Sequence, residues 1–596
     1  MSELIESSVD LKTLEREERL ARMRHSAAHV LAEAMINLIP EAELGFGPPT
    51  DTGFYYDFRL PRALTNDDLA ALERTMKRSI KRKHRFVMER ITRNEASIHW
   101  GNQPFKLELL DELEDENITQ CSHAGFIDLC RGGHVNTTGE IPAFKLISIA
   151  GAYWRGNEDN PQMQRVYGAL FETKEELDRW EEQRKEAQKR DHRRLGRELE
   201  LFTFSEDIGQ GIPLFLPKGE KIRNLMESFV REQQERAGYQ HVWTGHLVKR
   251  ALYERSGHMQ NYESSMFPPL TDGETEFFLK PMNCPSHMTL FNAIAHSYRD
   301  LPLRYAEFST LYRYEKSGEL SGLTRVRSLT QDDAHIFCLP EQVEEEFTNS
   351  LELIKHTLNT YGFSDYRVAL SLPDNTGKYI DAPELWEEAI NALRKAMESS
   401  GLEYVEEEGE AAFYGPKADF IAKDVLGREW QLSTIQVDFI QPGRLGCTYV
   451  GEDGQEHTPV MLHRAVTGST ERFLGVLIEH FNGAFPFWLS PIQVVIIPIA
   501  DRHYEYASLI QKKLQDDGFR VEVDFRSERM GAKIRLAQLQ KVPYMIIVGD
   551  KEAESSSVSV RVRGSSQTET QDLGEIQIAD LIARLHREED EKFLGP

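Results

Sequence analysis

The sequence predicts an α+β multidomain protein, and three observations predict it. Its 596 residues, at roughly 100–200 residues per domain, allow about three to five domains. Helical and strand periods mix through most of the chain without the steady βα alternation of a doubly wound sheet, and only the last hundred residues alternate that way. Between them, residues 173–199 are charged helix formers with Glu and Lys/Arg at i, i+4 spacings, which reads as one solvated helix joining an N-terminal unit to the rest.

The elements follow in order. Residues 1–172 open with a short polar lead-in, and His25–Ile39 then has the apolar spacing of an amphipathic helix stopped by Pro40. Phe54-Tyr-Tyr-Asp-Phe58 suits a pleated surface. Residues 67–92 read as a second helix bearing the densest basic run, Lys77 to Arg85. From about 100 to 172 strands mix with Gly-rich turns. Residues 200–487 alternate short strands with helices such as 219–237 and 341–361, an antiparallel α+β pattern. Residues 488–596 run strand (492–498), helix (504–517), strand (519–525), helix (528–540), strand (544–548), strand (557–562) and helix (577–587), a compact C-terminal α/β domain.

Composition narrows the function classes. The balance of 40% hydrophobic and 28% charged residues is that of an ordinary globular chain. The formal charge of −26 repels phosphates on average, so a nucleic-acid site must be a local basic patch. Five scattered cysteines make no disulfide framework and fit a reducing compartment. The N-terminus has no basic-then-apolar signal pattern, and no apolar run approaches the ~20 residues needed to span a bilayer. The expectation is a cytoplasmic protein with no membrane role.

Four constellations carry chemistry. His25-Ser-Ala-Ala-His29 puts two imidazoles on one helix face, and Asp128-Leu-Cys130-Arg-Gly-Gly-His134 adds a thiol and a third imidazole. By residue type this set suits zinc and equally suits ordinary surface and capping roles. Leu311-Tyr-Arg313-Tyr-Glu315 and Thr324-Arg325-Val-Arg327, read as two antiparallel strands, present Arg on one face for a carboxylate or phosphate. Gly468-Ser-Thr-Glu-Arg472 enters a helix whose first turn holds an Arg beside free backbone N–H groups, a setting for an anion. Cys284, His335 and His463 are candidate metal ligands, but their separation lets spacing say nothing. No Walker or GxGxxG motif is present.

Taken together these motifs resemble the bacterial-type threonyl-tRNA synthetases, a class II aminoacyl-tRNA synthetase family, over about residues 20–596 and in that family's order. The Arg313/Glu315 hairpin resembles class II motif 2, the Gly468–Phe473 segment motif 3, and Asp128–His134 with His25 and His29 the editing domain. The resemblance implies an antiparallel class II core at 200–487, an N-terminal α+β editing domain, a C-terminal anticodon-binding domain and a homodimer. It implies ATP- and Mg²⁺-dependent activation of L-threonine to the adenylate and transfer to tRNA(Thr). Arg313 would hold the α-phosphate, Glu315 the adenine end, and Arg325 and Arg472 the γ-phosphate. Cys284, His335 and His463 become the ligands of one Zn²⁺, with Gln331, Asp333, Tyr414, Lys417 and Gln436 lining the threonine pocket.

A hydroxyl-reading site rejects valine but not serine, which lacks only a methyl; one methyl is worth about 10–200-fold. A hydrolytic editing site for seryl-tRNA(Thr) is therefore expected, from His25, His29, Lys106, Asp128, Cys130 and His134, with positioned water rather than tightly bound metal. Ser527, Glu552 and Arg561 match positions near the anticodon, and the Lys77–Arg85 run either approaches the acceptor arm or is a solvated face. Four departures stand out: about two dozen residues before His25 where the family has a ubiquitin-like domain, so that domain is expected to be absent; Gly245 for the motif 1 proline; Leu329 for an aromatic on adenine; and Ser527 for an Asn.

Overall fold

The computed structural model describes residues 9–592 apart from 116–117, 158, 376–377 and 565–569, together with 3–4 and 594. It divides into two compact units, Met1–Lys185 and Glu186–Pro596.

In the first unit the helix Arg16–Leu38 starts nine residues before the expected His25, with Glu17 and Glu18 in a first turn where the dipole favours acids. It buries Ala27, Ala28, Val30, Leu31 and Met35, and with Phe54, Tyr56 and Phe58 of the strand Gly53–Arg59 they form one core. That strand pairs antiparallel with Gln162–Phe171, which pairs with Ala143–Tyr153. The expected helix over 67–92 is shorter. It spans Asn66–Arg82 behind a Thr65/Asp68 capping box and ends at Lys83, whose φ of 53° cannot continue a right-handed helix. The chain then enters a second antiparallel sheet, Val87–Arg90, Thr119–His123 and Phe126–Leu129, whose last strand carries Asp128.

The single helix expected over 173–199 is two. Lys174–Arg190 is followed by His192–Glu198, and Asp191 between them leaves helical geometry and accepts from the Arg193 N–H. The second helix is solvated on one face only: Arg193, Arg194, Arg197 and Glu198 are exposed, but His192, Leu195 and Gly196 are buried.

The second unit is built on an eight-stranded sheet in the order Gln240–His241, Leu303–Tyr312, Ser328–Cys338, Val460–Ala465, Glu429–Asp438, Lys417–Lys423, Tyr366–Leu372, Tyr404–Glu408. All pairs are antiparallel except those at the two edges. One face is covered by the helices Val343–Thr360 and Thr470–His480, which bury Phe347, Leu351, Ile354, Leu474 and Leu477 in the main core. The other face is left to hold the site. Register decides what it holds: His335 lies opposite His463, His463 opposite Gln436, and Gln436 opposite Lys417, so one row crosses four strands. Gln331 and Asp333, at even spacing from His335, share that face.

The motif 2 arginines are not on paired strands as expected. The ladder ends at Tyr312 and Ser328, with one further backbone bond from Arg313 N–H to Arg327 O at 3.0 Å, and Leu311, Val326 and Leu329 form a small apolar cluster at that end. Arg313, Glu315, Arg325 and Arg327 all lie in the connecting loop. The C-terminal sheet runs Val521–Val523, Val494–Pro498, Tyr544–Val548, Ser557–Arg563, Thr570–Gln577, parallel in its first two pairings and antiparallel in the last two. The strand Thr570–Gln577 and the short helix Asp550–Ser555 escape the sequence reading, since both are polar and largely exposed.

Candidate active and editing sites

A cavity of about 510 Å³ opens on the row face, lined by Cys284, Arg313, Gln331, Asp333, His335, Tyr414, Gln436, His463 and Arg472. At its floor, Cys284 begins the helix Cys284–Phe291, and the ligand atoms of Cys284, His335 and His463 lie within 4.8 Å of one another.

Hydrogen bonding fixes the tautomers. Asp438 Oδ2 is 3.0 Å from His463 Nε2, so the proton sits on Nε2 and the Nδ1 lone pair faces the cavity. Tyr414, 3.4 Å from that Nδ1, gives its hydroxyl proton to Gln436 Oε1 at 2.7 Å. Glu307 Oε2 is 3.1 Å from His287 Nε2, and His287 Nδ1 is 2.8 Å from His335 Nδ1. His287 Nε2–H donates to the carboxylate, so His287 Nδ1 accepts and His335 Nδ1–H donates. His335 Nε2 is left bare, 3.1 Å from the bare His463 Nδ1.

Two lone pairs facing at that distance repel unless a cation lies between them. Two Zn–N bonds of 2.0–2.1 Å at a tetrahedral angle would set the nitrogens about 3.3–3.4 Å apart, close to what is found. Burial pushes the Cys284 thiol well above its ordinary range, with Asp333 and Asp438 adding to it, so a thiolate here requires a compensating positive charge. The donor set fits zinc.

Burial also raises the Asp333 carboxyl, whose Oδ2 accepts from Asn283 Nδ2 at 3.1 Å. Asp332 points to the opposite face, where Arg464, Gln234 and two backbone N–H groups hold it.

Arg313 and Arg472 both line the cavity. Arg313 Nε is buried without a protein partner, and so is Arg472 Nε. The Arg472 guanidinium is pushed below its ordinary value by burial and then by the charge of Arg325. Arg325 itself pairs with Glu315 at 2.8 Å and Glu319 at 3.2 Å. Lys417 pairs with Asp419 and is not part of the cavity wall. Leu329 is on that wall.

Sequence reasoning missed Asp438, His287, Asn283 and the buried His258, whose Nε2 is 3.9 Å from Cys284 Sγ and whose imidazole burial pushes down to about 3. Only His287 carried a signal, at i+3 from Cys284 on the same helix.

The first unit gathers its own cluster around a cavity of about 530 Å³ lined by His25, His29, Lys106, Asp128 and Cys130. Lys106 and Asp128 form a buried ion pair, and Tyr56 donates to Asp128 at 2.6 Å. Ser26 donates to Arg22 O, so His134 Nδ1–H turns to Ser26 and its Nε2 accepts from the Cys130 thiol at 3.1 Å. His25 Nε2 is 3.6 Å from the same sulfur. Burial pushes His29 and His134 well below the ordinary histidine value and lowers His25, where Asp128 partly opposes it. These four side chains converge tightly enough for a metal or a positioned water.

In the C-terminal domain, Glu552 on the helix Asp550–Ser555 accepts from the Gly549 N–H at 2.9 Å and from the Ser559 hydroxyl at 2.7 Å. Arg561 lies 3.6 Å from Asp572. Ser527 is exposed in the bend before the helix Met530–Leu539.

Three domain families match the chain: the tRNA synthetase class II core domain (G, H, P, S and T) over residues 265–481, the anticodon binding domain over 493–588, and the threonyl and alanyl tRNA synthetase second additional domain over 118–167. A threonine–tRNA ligase of Rubrobacter xylanophilus is 58% identical over 94% of this chain and 88% of its own length. The chain belongs to the threonine–tRNA ligase family. A second relative of that name, from Dehalococcoides mccartyi, is 50% identical over 91% of this chain and 93% of its own. Among solved structures, a threonyl-tRNA synthetase RNA-binding domain of Cryptosporidium parvum aligns with a TM-score of 0.63 at 36% identity, over 68% of this chain and 98% of that one. A Giardia lamblia prolyl-tRNA synthetase, at 17% identity and a TM-score of 0.52, over 69% of this chain and 80% of its own, shares the fold. The protein is thus an aminoacyl-tRNA ligase on a class II core, a fold that works on ATP with Mg²⁺. Among the described residues no helix is long and apolar enough to cross a membrane.

Proposed function

We propose that the enzyme joins L-threonine to tRNA(Thr) in the cytoplasm, and that the first unit hydrolyses seryl-tRNA(Thr). The observation that supports it best is the pair of bare imidazole nitrogens beside Cys284 at the floor of a cavity whose mouth is lined by unpartnered guanidinium nitrogen.

Bound by Cys284, His335 and His463, zinc would supply a Lewis-acid centre that takes the amino and hydroxyl groups of threonine. Asp333 accepts from the same hydroxyl, and Gln331, Tyr414 and Gln436 shape the pocket, with Lys417 one strand beyond Gln436 in the same row. Arg313 orients the threonine carboxylate and the α-phosphate of ATP, its Nε having no competing protein partner. Glu315 meets the adenine end. The carboxylate oxygen attacks the α-phosphorus and pyrophosphate leaves; Arg325 and Arg472 neutralise charge gathering on the departing phosphates. Glu315 must release Arg325 for this, so ATP binding exchanges one ion pair for another. The terminal ribose hydroxyl of tRNA then attacks the adenylate carbonyl and AMP departs.

In the first unit, neutral His25, His29 and His134 with Cys130 surround the ester. The Lys106–Asp128 pair fixes the wall on which a water is held. Ser527, Glu552 and Arg561 are the anticodon contacts. Domain limits of 1–172, 173–199, 200–487 and 488–596 assign these tasks. Dimerisation through the face bearing the exposed Trp243, Leu247 and Leu270 suits a chain with this much apolar surface there; a Cβ on Gly245 would meet open space.

Pyrophosphate exchange with each amino acid tests the reading. Exchange with another amino acid and none with threonine overturns it.

A further inference from the structure

His192 lies outside both sites and outside every motif above, yet it is buried in the second unit with both ring nitrogens committed. The Leu323 backbone N–H donates to His192 Nε2 at 3.0 Å. That places the ring proton on Nδ1, which donates to Glu479 Oε1 at 2.6 Å. The same oxygen receives the His192 backbone N–H at 3.0 Å. Asp191, His192 and Glu479 have the residue types and proximity of a metal cluster, but no lone pair remains on the imidazole, so it is a clasp and not a ligand.

What the clasp joins is informative. Leu323 sits inside the tight turn Ser321–Arg325, where the Arg325 and Thr324 N–H groups both bond Ser321 O, two residues before Arg325. Glu479 is on the helix Thr470–His480 that carries Arg472 at its start, and is itself paired with Arg428 at 2.6 Å. One imidazole therefore ties the loop of one phosphate-facing arginine to the helix of the other. One glycine makes room for the ring and a second lets the loop approach the helix. A Cβ on Gly322, whose φ is +49°, would come within 2.1 Å of His192 Nε2, and one on Gly475 within 3.3 Å of Leu323 Cβ. The ring fills the space where the loop crosses the helix.

We propose that His192 is a positioning residue for ATP: by accepting the Leu323 N–H it holds the Ser321–Arg325 turn, and Arg325 with it, against the helix that carries Arg472. This rests on the reading of Arg325 as a phosphate contact. The Leu323 N–H is buried beside a fully buried side chain, and losing its acceptor leaves it unsatisfied and frees the turn to rotate toward another partner.

Two variants separate positioning from packing. In His192→Asn the amide nitrogen can still reach Glu479, but the side chain is too short to accept from Leu323. In His192→Gln the amide oxygen can occupy the Nε2 position and keep the Leu323 bond, while the backbone N–H keeps Glu479. Pyrophosphate exchange by the full-length enzyme is measured against ATP and threonine separately, with thermal midpoints and with Arg325→Ala alongside.

The expected result is a rise of about tenfold or more in the KM for ATP, or an equal fall in kcat/KM for ATP, in His192→Asn, the scale of one buried unsatisfied donor. The KM for threonine stays as in the parent, and His192→Gln stays close to the parent in both. Parent-like use of ATP by His192→Asn while Arg325→Ala is impaired overturns the inference alone. So does equal loss toward both substrates in both variants with lowered midpoints, which means packing only. Unimpaired ATP use by Arg325→Ala overturns the underlying reading and the inference with it.

Discussion

Asp438 accepts the Nε2 proton of His463 at 3.0 Å and thereby decides which nitrogen of that imidazole faces the cavity. The strand that supplies Asp438 pairs directly with the strand of His463, so the ligand and its orienting carboxylate are set by one ladder. Asp438→Asn removes the charge and can present an N–H where a carboxylate accepted. It is expected to weaken zinc binding by about 10–100-fold, read by competition with a chelator. Unchanged metal affinity sinks the tautomer argument.

Cys284→Ser should leave purified enzyme with less than one zinc per chain and abolish threonine activation. Elemental analysis checks the first and pyrophosphate exchange the second. Full activity at background metal content would remove the basis for hydroxyl selection.

Discrimination should be lopsided. Valine leaves the Asp333 carboxylate and a coordination position unsatisfied, so its activation falls ~10⁴–10⁵-fold below threonine, while serine falls only ~10–200-fold. In Lys106→Ala or His25→Ala the serine that passes this first sieve should persist as seryl-tRNA, seen by following radiolabelled serine on tRNA. Charging with threonine should be unchanged. A variant that clears seryl-tRNA at the parent rate takes that residue out of the editing site.

The editing reaction should be insensitive to mild acid. An exposed histidine protonates near 6.5, but burial lowers His25 and holds His29 and His134 well below that. Hydrolysis of pre-formed seryl-tRNA is expected to keep its rate between pH 8 and about 6, where ordinary imidazoles already begin to protonate. A fall centred near 6.5 would show that the reacting imidazole is not one of these.

Asp191 carries an acid-stability prediction. Its hydrogen bonds with the Arg193 side chain hold its carboxyl down to about 2. A carboxylate depressed in the folded state adds stability that is present above its unfolded pKa and lost as pH falls through the folded one. Because Asp191 stays partly exposed, at 26%, and its Arg193 partner is 59% exposed, that contribution is modest. Asp191→Ala also removes the cap on Arg193 N–H, a loss of about 0.5–2 kcal/mol. The denaturation midpoint should drop at pH 7, and the gap between variant and parent should narrow toward pH 2.

Much of this protein was legible in one dimension. Residue type and local spacing placed the Arg16–Leu38 helix face with His25 and His29, the alternating aromatics of Gly53–Arg59, and the Arg472-bearing start of Thr470–His480, because helix and strand periods are local properties. Motif order pointed to the family. What sequence could not supply was register. His335 and His463 stand 128 residues apart and meet only because two strands pair with those residues opposite, and sheet pairing is set by the packing of whole faces rather than by neighbours along the chain. The same applies to the partners that fix protons: Asp438, His287 and Glu307 have no local signature, and a tautomer exists only where a second chain segment arrives to accept it. The 173–199 stretch shows the limit from the other side. Its composition is that of a solvated helix, but tertiary burial of His192 and Leu195 broke it in two, since a charged sequence constrains where water must be and not where a core will claim an exception.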